Sequence, residues 1–178
     1  DTRGNGVKIP QAILRYAPGS SGERGIVMEA GDRLFLYGHY RFGSYKHSFG
    51  KNIRLNQCTG YLNEIYDFDP TLPNKCPRLD RDQVGALSSA CQSFLLSLPR
   101  CSVPTDQDIA RFQGDGACQS FMRNEFGYAQ CYDTHKNDSD FFSRDWYVWL
   151  DDQRIPLSSD HDRVLLYDSN NLLVDELV

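Results

Sequence analysis

The sequence predicts a mainly β domain: a two-sheet β-sandwich interrupted by a helical, cysteine-rich insertion. Three observations predict it. Short apolar or alternating segments at both ends of the chain amount to about seven strands, the number of a small sandwich. Between them, from about residue 77 to residue 134, apolar residues recur at spacings of three and four, the helical period. All six cysteines, Cys58, Cys76, Cys91, Cys101, Cys118 and Cys131, fall in that block or in the stretch leading into it. At 178 residues one domain spanning 1–178 is the natural count. A chain of that length buries enough surface to fold without covalent help.

The first strands are read from the N-terminal third. Residues 1–6 are polar and glycine-rich, a lead-in. Residues 11–17 read as a strand ended by Pro18-Gly19, and residues 25–29 as a second short strand. Ala30-Gly31-Asp32 is a turn, residues 33–37 are a third strand, and an aromatic, basic loop follows. Residues 52–57 alternate apolar and polar side chains, as a half-buried strand does. Residues 61–68 are a further candidate.

The middle of the chain turns helical. Over residues 80–98, Val84, Leu87, Cys91, Phe94, Leu95 and Leu98 fall on one face, with Asp80 or Asp82 as N-cap and Pro99 as the stop. Thr105-Asp106-Gln107-Asp108 resembles a capping box, with Asp in the place of the usual Glu or Gln, and opens a short helix through Phe112. Gly114-Asp115-Gly116 breaks it. Residues 117–126 make another helix, with Cys118, Phe121 and Met122 facing inward and Gly127 as the C-terminal cap.

Strands return at the end. Residues 146–150 are aromatic and β-branched. Residues 163–167 and 172–178 flank Asp168-Ser169-Asn170-Asn171, where the asparagines tolerate positive φ and so favour a tight hairpin. The expected sandwich core is Ile13, Leu34, Leu36, Leu55, Val148, Leu165 and Val174.

An even cysteine count with no C-x-x-C pair fits a disulfide framework better than zinc or a catalytic thiol. Such a framework belongs to an oxidising compartment, so the protein is expected outside the cell or on its surface. If the helices over 80–98 and 117–126 lie antiparallel, the pairs are Cys101–Cys118 and Cys91–Cys131, leaving Cys58–Cys76 to close the proline-rich loop. No apolar run approaches the roughly 20 residues of a membrane span, so no membrane insertion is expected. The chain opens without a basic-then-apolar leader, and a processed or excised product is expected.

The net charge of −5 is uneven: residues 1–54 hold nine Lys or Arg against four Asp or Glu, and residues 55–178 hold ten against twenty. Arg33, Arg41, Lys46, Lys51 and Arg54, interleaved with Tyr37, Tyr40, Phe42, Tyr45 and Phe49, form a candidate polyanion-binding stretch over residues 37–54 and its flank. With His39 and His47 it is also a candidate for phosphate-directed chemistry. A solvated loop explains the same residues, and the overall acidity opposes polyanions at long range, so nucleic acid is not the expected partner. His161 lies beside Asp160, Asp162 and Ser158-Ser159, but adjacency in sequence does not make a triad. No nucleophile elbow, P-loop or dinucleotide fingerprint occurs, and neither enzymatic activity nor a cofactor is expected. Asp133, Asn137, Asp138 and Asp140 are a calcium candidate by oxygen-ligand spacing, although they lack the glycine and closing glutamate of an EF-hand. A solvated acidic turn is the adopted reading. The triplet Asn137-Asp138-Ser139 is also a glycosylation acceptor.

The run His161-Asp-Arg-Val-Leu-Leu-Tyr-Asp-Ser-Asn-Asn-Leu-Leu-Val-Asp175 resembles the closing hairpin of the lamin-tail domain. Met28-Glu-Ala-Gly-Asp-Arg-Leu-Phe-Leu-Tyr37 looks like that family's glycine followed by a hydrophobic strand, and Asn52-Ile-Arg-Leu-Asn56 like the next core strand. The resemblance covers about a third of the chain. It implies an immunoglobulin-like sandwich used as a non-catalytic module, often secreted or surface-attached in bacteria. The family's glycine-tryptophan strand near the start is missing here, and the cysteine-rich helical block is additional to it. The expected partner is another protein or a second copy of the chain, joined through edge strands into a self-assembling extracellular subunit. The basic head, the acidic remainder and the apolar last strand all favour such assembly.

Overall fold

The protein is described by a computed structural model covering residues 9, 11–19, 22–37, 49–150 and 163–177. Its main sheet is built from Ala12–Ile13 (β1), Glu23–Arg24 (β2), Arg33–Tyr37 (β3), Asn52–Asn56 (β4) and Phe142–Trp149 (β5), in the order β2-β1-β4-β5-β3. The long aromatic strand β5 lies between β4 and β3. It runs antiparallel to β4, with Arg54 opposite Trp146, and parallel to β3, with Arg33 opposite Asp145 and Tyr37 opposite Trp149. β1 pairs parallel to β4 and antiparallel to β2. A second sheet is the hairpin of Val164–Tyr167 (β6) and Leu173–Leu177 (β7).

This is a β-rich, mixed α/β arrangement with a helical block, as the pattern of strands and helices requires. It is not a clear immunoglobulin sandwich: two of the pairings are parallel, and the second sheet holds only two described strands. Residues 33–37 and the C-terminal hairpin form where expected, and Asn171 takes φ 64° in the turn. The expected strand over 11–17 is only two residues long, and the strand expected over 25–29 is replaced by the pair at 23–24. Residues 61–68 are not a strand. Thr59–Glu64 is a 3-10 helix, entered through Asn56, whose side-chain carbonyl accepts the Cys58 N–H at 2.9 Å.

Residues 57–141 form one excursion between the neighbouring strands β4 and β5. It starts and ends together: Asn56 is paired with Phe142, and the Gln57 N–H donates to the Phe141 carbonyl at 3.0 Å. Its helices are Arg81–Val84 (α1), Ser89–Ser97 (α2), Asp106–Arg111 (α3), Gly116–Asn124 (α4) and Tyr128–His135 (α5). The helix expected over 80–98 is therefore two helices. Asp80 and Gln83 close a capping box on α1, and Ser88 begins anew by accepting the Cys91 N–H. The Thr105–Asp108 box forms on α3 with both bonds in place. Gly127 does not cap α4, which ends at Glu125; at φ 101° it precedes α5, a helix that sequence periodicity did not reveal.

All six cysteines are paired, but not as expected. The bonds are Cys58–Cys131, Cys76–Cys101 and Cys91–Cys118. The antiparallel staple fails for a local reason. Ser88 and Asp115 are the N-caps of α2 and α4, and the Ser88 hydroxyl donates to the Asp115 carboxylate at 2.6 Å. The two helices thus begin side by side, and Cys91 and Cys118 each lie three residues beyond those caps. Asp115 also accepts the Cys118 N–H, and these two bonds hold its carboxyl below the ordinary carboxylate value.

Two cores result. One packs a sheet face against the 3-10 helix and α5 and includes Ile13, Ile53, Leu55, Leu62, Phe141 and Trp149; the other fills the helices α1 to α4 with Val84, Leu95, Ile109 and Met122. Of the expected sandwich core, Ile13, Leu55 and Val148 are buried and Leu34, Leu36 and Leu165 are half-buried. Val174 is not core: it is 60% exposed. Asn52 and Asn56, the expected polar face of β4, are instead buried. Asn52 bridges the Gln11 carbonyl and the Trp149 N–H, and Asn56 reaches the Tyr128 hydroxyl.

Candidate functional site

The cations singled out from the sequence divide in two. Arg41 and Lys46, with His39 and His47, lie outside the described residues, as does His161. The remaining three each meet a carboxylate. Arg33 pairs with Asp145 at 2.6 Å across the β3–β5 ladder, Lys51 with Glu23 at 2.7 Å, and Arg54 with Asp32 at 3.7 Å.

Arg54 is held most firmly. Its Nε donates to the Ser143 carbonyl at 3.0 Å, and its guanidinium lies over the rings of Phe142 and Trp146. The register explains this: Arg54 stands opposite Trp146 in the antiparallel pair, with the β-bulge of that ladder just beyond. Asp32, whose side chain is only 2% exposed, completes the group by accepting the Trp146 indole N–H at 3.0 Å and the Glu29 N–H at 3.1 Å. Burial would raise the Asp32 carboxyl. The hydrogen bonds from Trp146 and Glu29 and the charges of Arg54 and Arg144 outweigh it and hold the carboxyl below its ordinary value.

A folded-state value below the unfolded one means stabilisation that is complete above about pH 4 and lost as the pH falls through the folded value. Asp32→Asn is expected to cost about 2 kcal/mol at neutral pH, the scale of hydrogen bonds and ion contacts to a buried charge. In urea unfolding the gap between variant and parent should close as the pH falls below the ordinary carboxylate range and through the folded value. A gap that stays constant with pH would show that the Asp32 charge contributes nothing.

The calcium candidates are not gathered around a common point. Asp133 is bound to Arg15 at 3.1 Å and Lys136 at 3.2 Å, and Asp138 to His135 at 2.8 Å. Asn137 and Asp140 are exposed in the turn after α5, and the Asp140 carbonyl accepts from Gln57. Among the described residues, no group of three or more His, Cys, Asp or Glu side chains is arranged to hold a metal ion.

Sequence reasoning missed two surface features. One is an open groove of about 440 Å³ at the neck of the excursion, with Leu55 and Phe141 among its lining residues and Lys75, Arg100, Asp140 and Asp145 as its charged members. Lys75 precedes Cys76 and Arg100 precedes Cys101, so the Cys76–Cys101 bond, with Cα atoms 5.2 Å apart, brings two cations together. The signal was present in the sequence but only becomes legible once the pairing is known. The other is the exposure of the β6–β7 hairpin, whose two strands are where the sequence places them but whose apolar residues do not all join the core. Tyr167, Leu172, Leu173 and Val174 are all large, apolar and exposed.

No helix among the described residues is long and apolar enough to cross a membrane. No protein-family model, curated protein or solved structure matches the chain.

Proposed function

We propose that this chain is a secreted or cell-surface interaction module of lamin-tail, immunoglobulin-like type, without enzymatic activity, serving as a subunit of an extracellular assembly. The observation that carries the reading is the pairing of all six cysteines into three disulfides, one of which ties the end of β4 to the last helix of the excursion. Bonds of this kind persist in oxidising compartments and are reduced in the cytosol. The exposed apolar hairpin supports an interaction role, since soluble monomers seldom present contiguous apolar surface of this sort without a use for it. Polyanion binding has weaker support, because Arg33, Lys51 and Arg54 are already engaged with carboxylates.

The test is fractionation of the source cells with alkylation before lysis, followed by detection with an antibody. The expected result is protein outside the cell or on its surface, with no cysteine alkylated until a reductant is added. A cytoplasmic pool with reactive thiols would overturn the reading.

A further inference from the structure

We propose that the groove at the neck of the excursion binds a small, singly charged carboxylic acid that also carries hydrogen-bond donors, as an acidic sugar or an acidic amino acid does. This goes beyond the interaction-module reading and does not rest on it. The groove's volume, about 440 Å³, lies within the range of small-ligand pockets, roughly 300–1,000 Å³. Its walls are set by the covalent frame. Residues 75–77 and Arg100 are held together by the Cys76–Cys101 bond. That bond rests on the 3-10 helix: a side chain on Gly60 would collide with the Cys101 Sγ and with the Pro73 carbonyl. Another wall comes from the end of β4 and the start of β5, closed by the Gln57–Phe141 backbone bond at 3.0 Å. Walls fixed in advance spare a ligand the cost of ordering them.

The charges lining the groove select the ligand. Asp145 is spent on Arg33, which reaches it at 2.6 and 2.7 Å. Lys75 and Arg100 are exposed, and among the described residues neither pairs with a carboxylate. The Asp140 carboxylate has no partner among them either; only its carbonyl is engaged, by Gln57 at 3.3 Å. Two unpaired cations and one unpaired carboxylate leave the groove with a balance of one positive charge. A concave site focuses such a field, and a singly charged acid neutralises it. A phosphate monoester, with a charge of roughly −1.5 to −2, overshoots the balance and sets its excess against Asp140. A carboxylate also suits the planar fork of Arg100, which binds it through two parallel bonds. An ionised Asp140 only accepts hydrogen bonds, so it calls for a hydroxyl or ammonium group on the ligand. A uronic acid brings a carboxylate and hydroxyls, and an acidic amino acid brings carboxylates and an ammonium. Both carry a single net negative charge at neutral pH.

The probes are D-glucuronate and L-glutamate, titrated into the intact, oxidised chain and followed by NMR, with glucose and inorganic phosphate as counterparts. At least one of the two acids should bind more tightly than glucose or phosphate, move the amide signals of Lys75, Cys76 and Arg100, and lose affinity as salt is raised. Arg100→Gln and Lys75→Gln should each weaken that acid about tenfold, the scale of a hydrogen bond to a charged group. Asp140→Asn should weaken the same acid and strengthen phosphate. Arg81→Gln, exposed on α1 and not part of the groove lining, should change nothing. All four substituted side chains are exposed, and circular dichroism of each variant checks that the fold persists. Which acid binds tells a sugar source from an amino-acid source. The proposal is overturned by no binding of either acid, by glucose or phosphate binding as tightly, by shifts confined to another part of the molecule, or by full binding to both Arg100→Gln and Lys75→Gln.

Discussion

Replacing Cys58 and Cys131 together by alanine is expected to lower stability by about 4 kcal/mol, the largest loss from opening any single bond in the molecule. The bond spans 73 residues, against 25 and 27 for the other two. Cross-link entropy rises with loop length, so the longest loop restrains the unfolded chain most. It also fixes the 3-10 helix and α5 to one another, because Cys58 is the residue before the first and Cys131 lies within the second. Chemical denaturation of the double variant, compared with matched Cys91/Cys118 and Cys76/Cys101 double variants, checks both the size and the order. A Cys58/Cys131 variant more stable than the other two would show that strain or denatured-state structure dominates over loop length.

Phe141→Ala is expected to cost about 4 kcal/mol, by loss of buried area plus the cavity left behind. The ring is 1% exposed and packs edge-on against Tyr132 and Phe142, with centroids 5.0 and 4.9 Å away. Its backbone binds on both sides, donating to Asp138 and accepting from Gln57. The residue therefore joins the last helix, the start of β5 and the end of β4. Phe141→Leu should recover more than half of the loss, since leucine refills most of the volume. If alanine cost less than about 1 kcal/mol, the site would be able to collapse around the gap.

Much of the fold was legible because local chemistry decided it. The β3 strand, the Thr105 capping box, the hairpin turn at Asn170-Asn171 and the inner faces of the helices rest on short-range patterns, and the structure keeps them. The failures come from tertiary context. Helix α5 carries only Tyr128 and Cys131 as buried residues among polar neighbours, too few to show a periodic stripe. Without it, Cys131 could not be placed, and its true partner Cys58 was given to Cys76. Asn52 and Asn56 read as solvent-facing because they are polar; their burial depends on acceptors and donors from β1, β5 and α5 that no window around β4 contains. The charged residues over 33–54 were legible as a basic cluster, but not their partners: Asp32, Glu23 and Asp145 approach through strand order, not through sequence distance.

The excursion of residues 57–141 leaves the sheet and returns to it at one pair of neighbouring residues. A segment with a common entrance and exit is a unit of exchange. The parts that hold the second core, helices α1 to α4, can be lengthened, shortened or traded without rethreading any strand, provided that Cys101, which lies between α2 and α3 and is bonded to Cys76 in the first core, is kept. The disulfide from Cys58 to Cys131 acts as the collar that keeps such a substitution from loosening the frame. A lineage, or an engineer, working from this architecture can vary what projects from the sheet while inheriting the sheet unchanged.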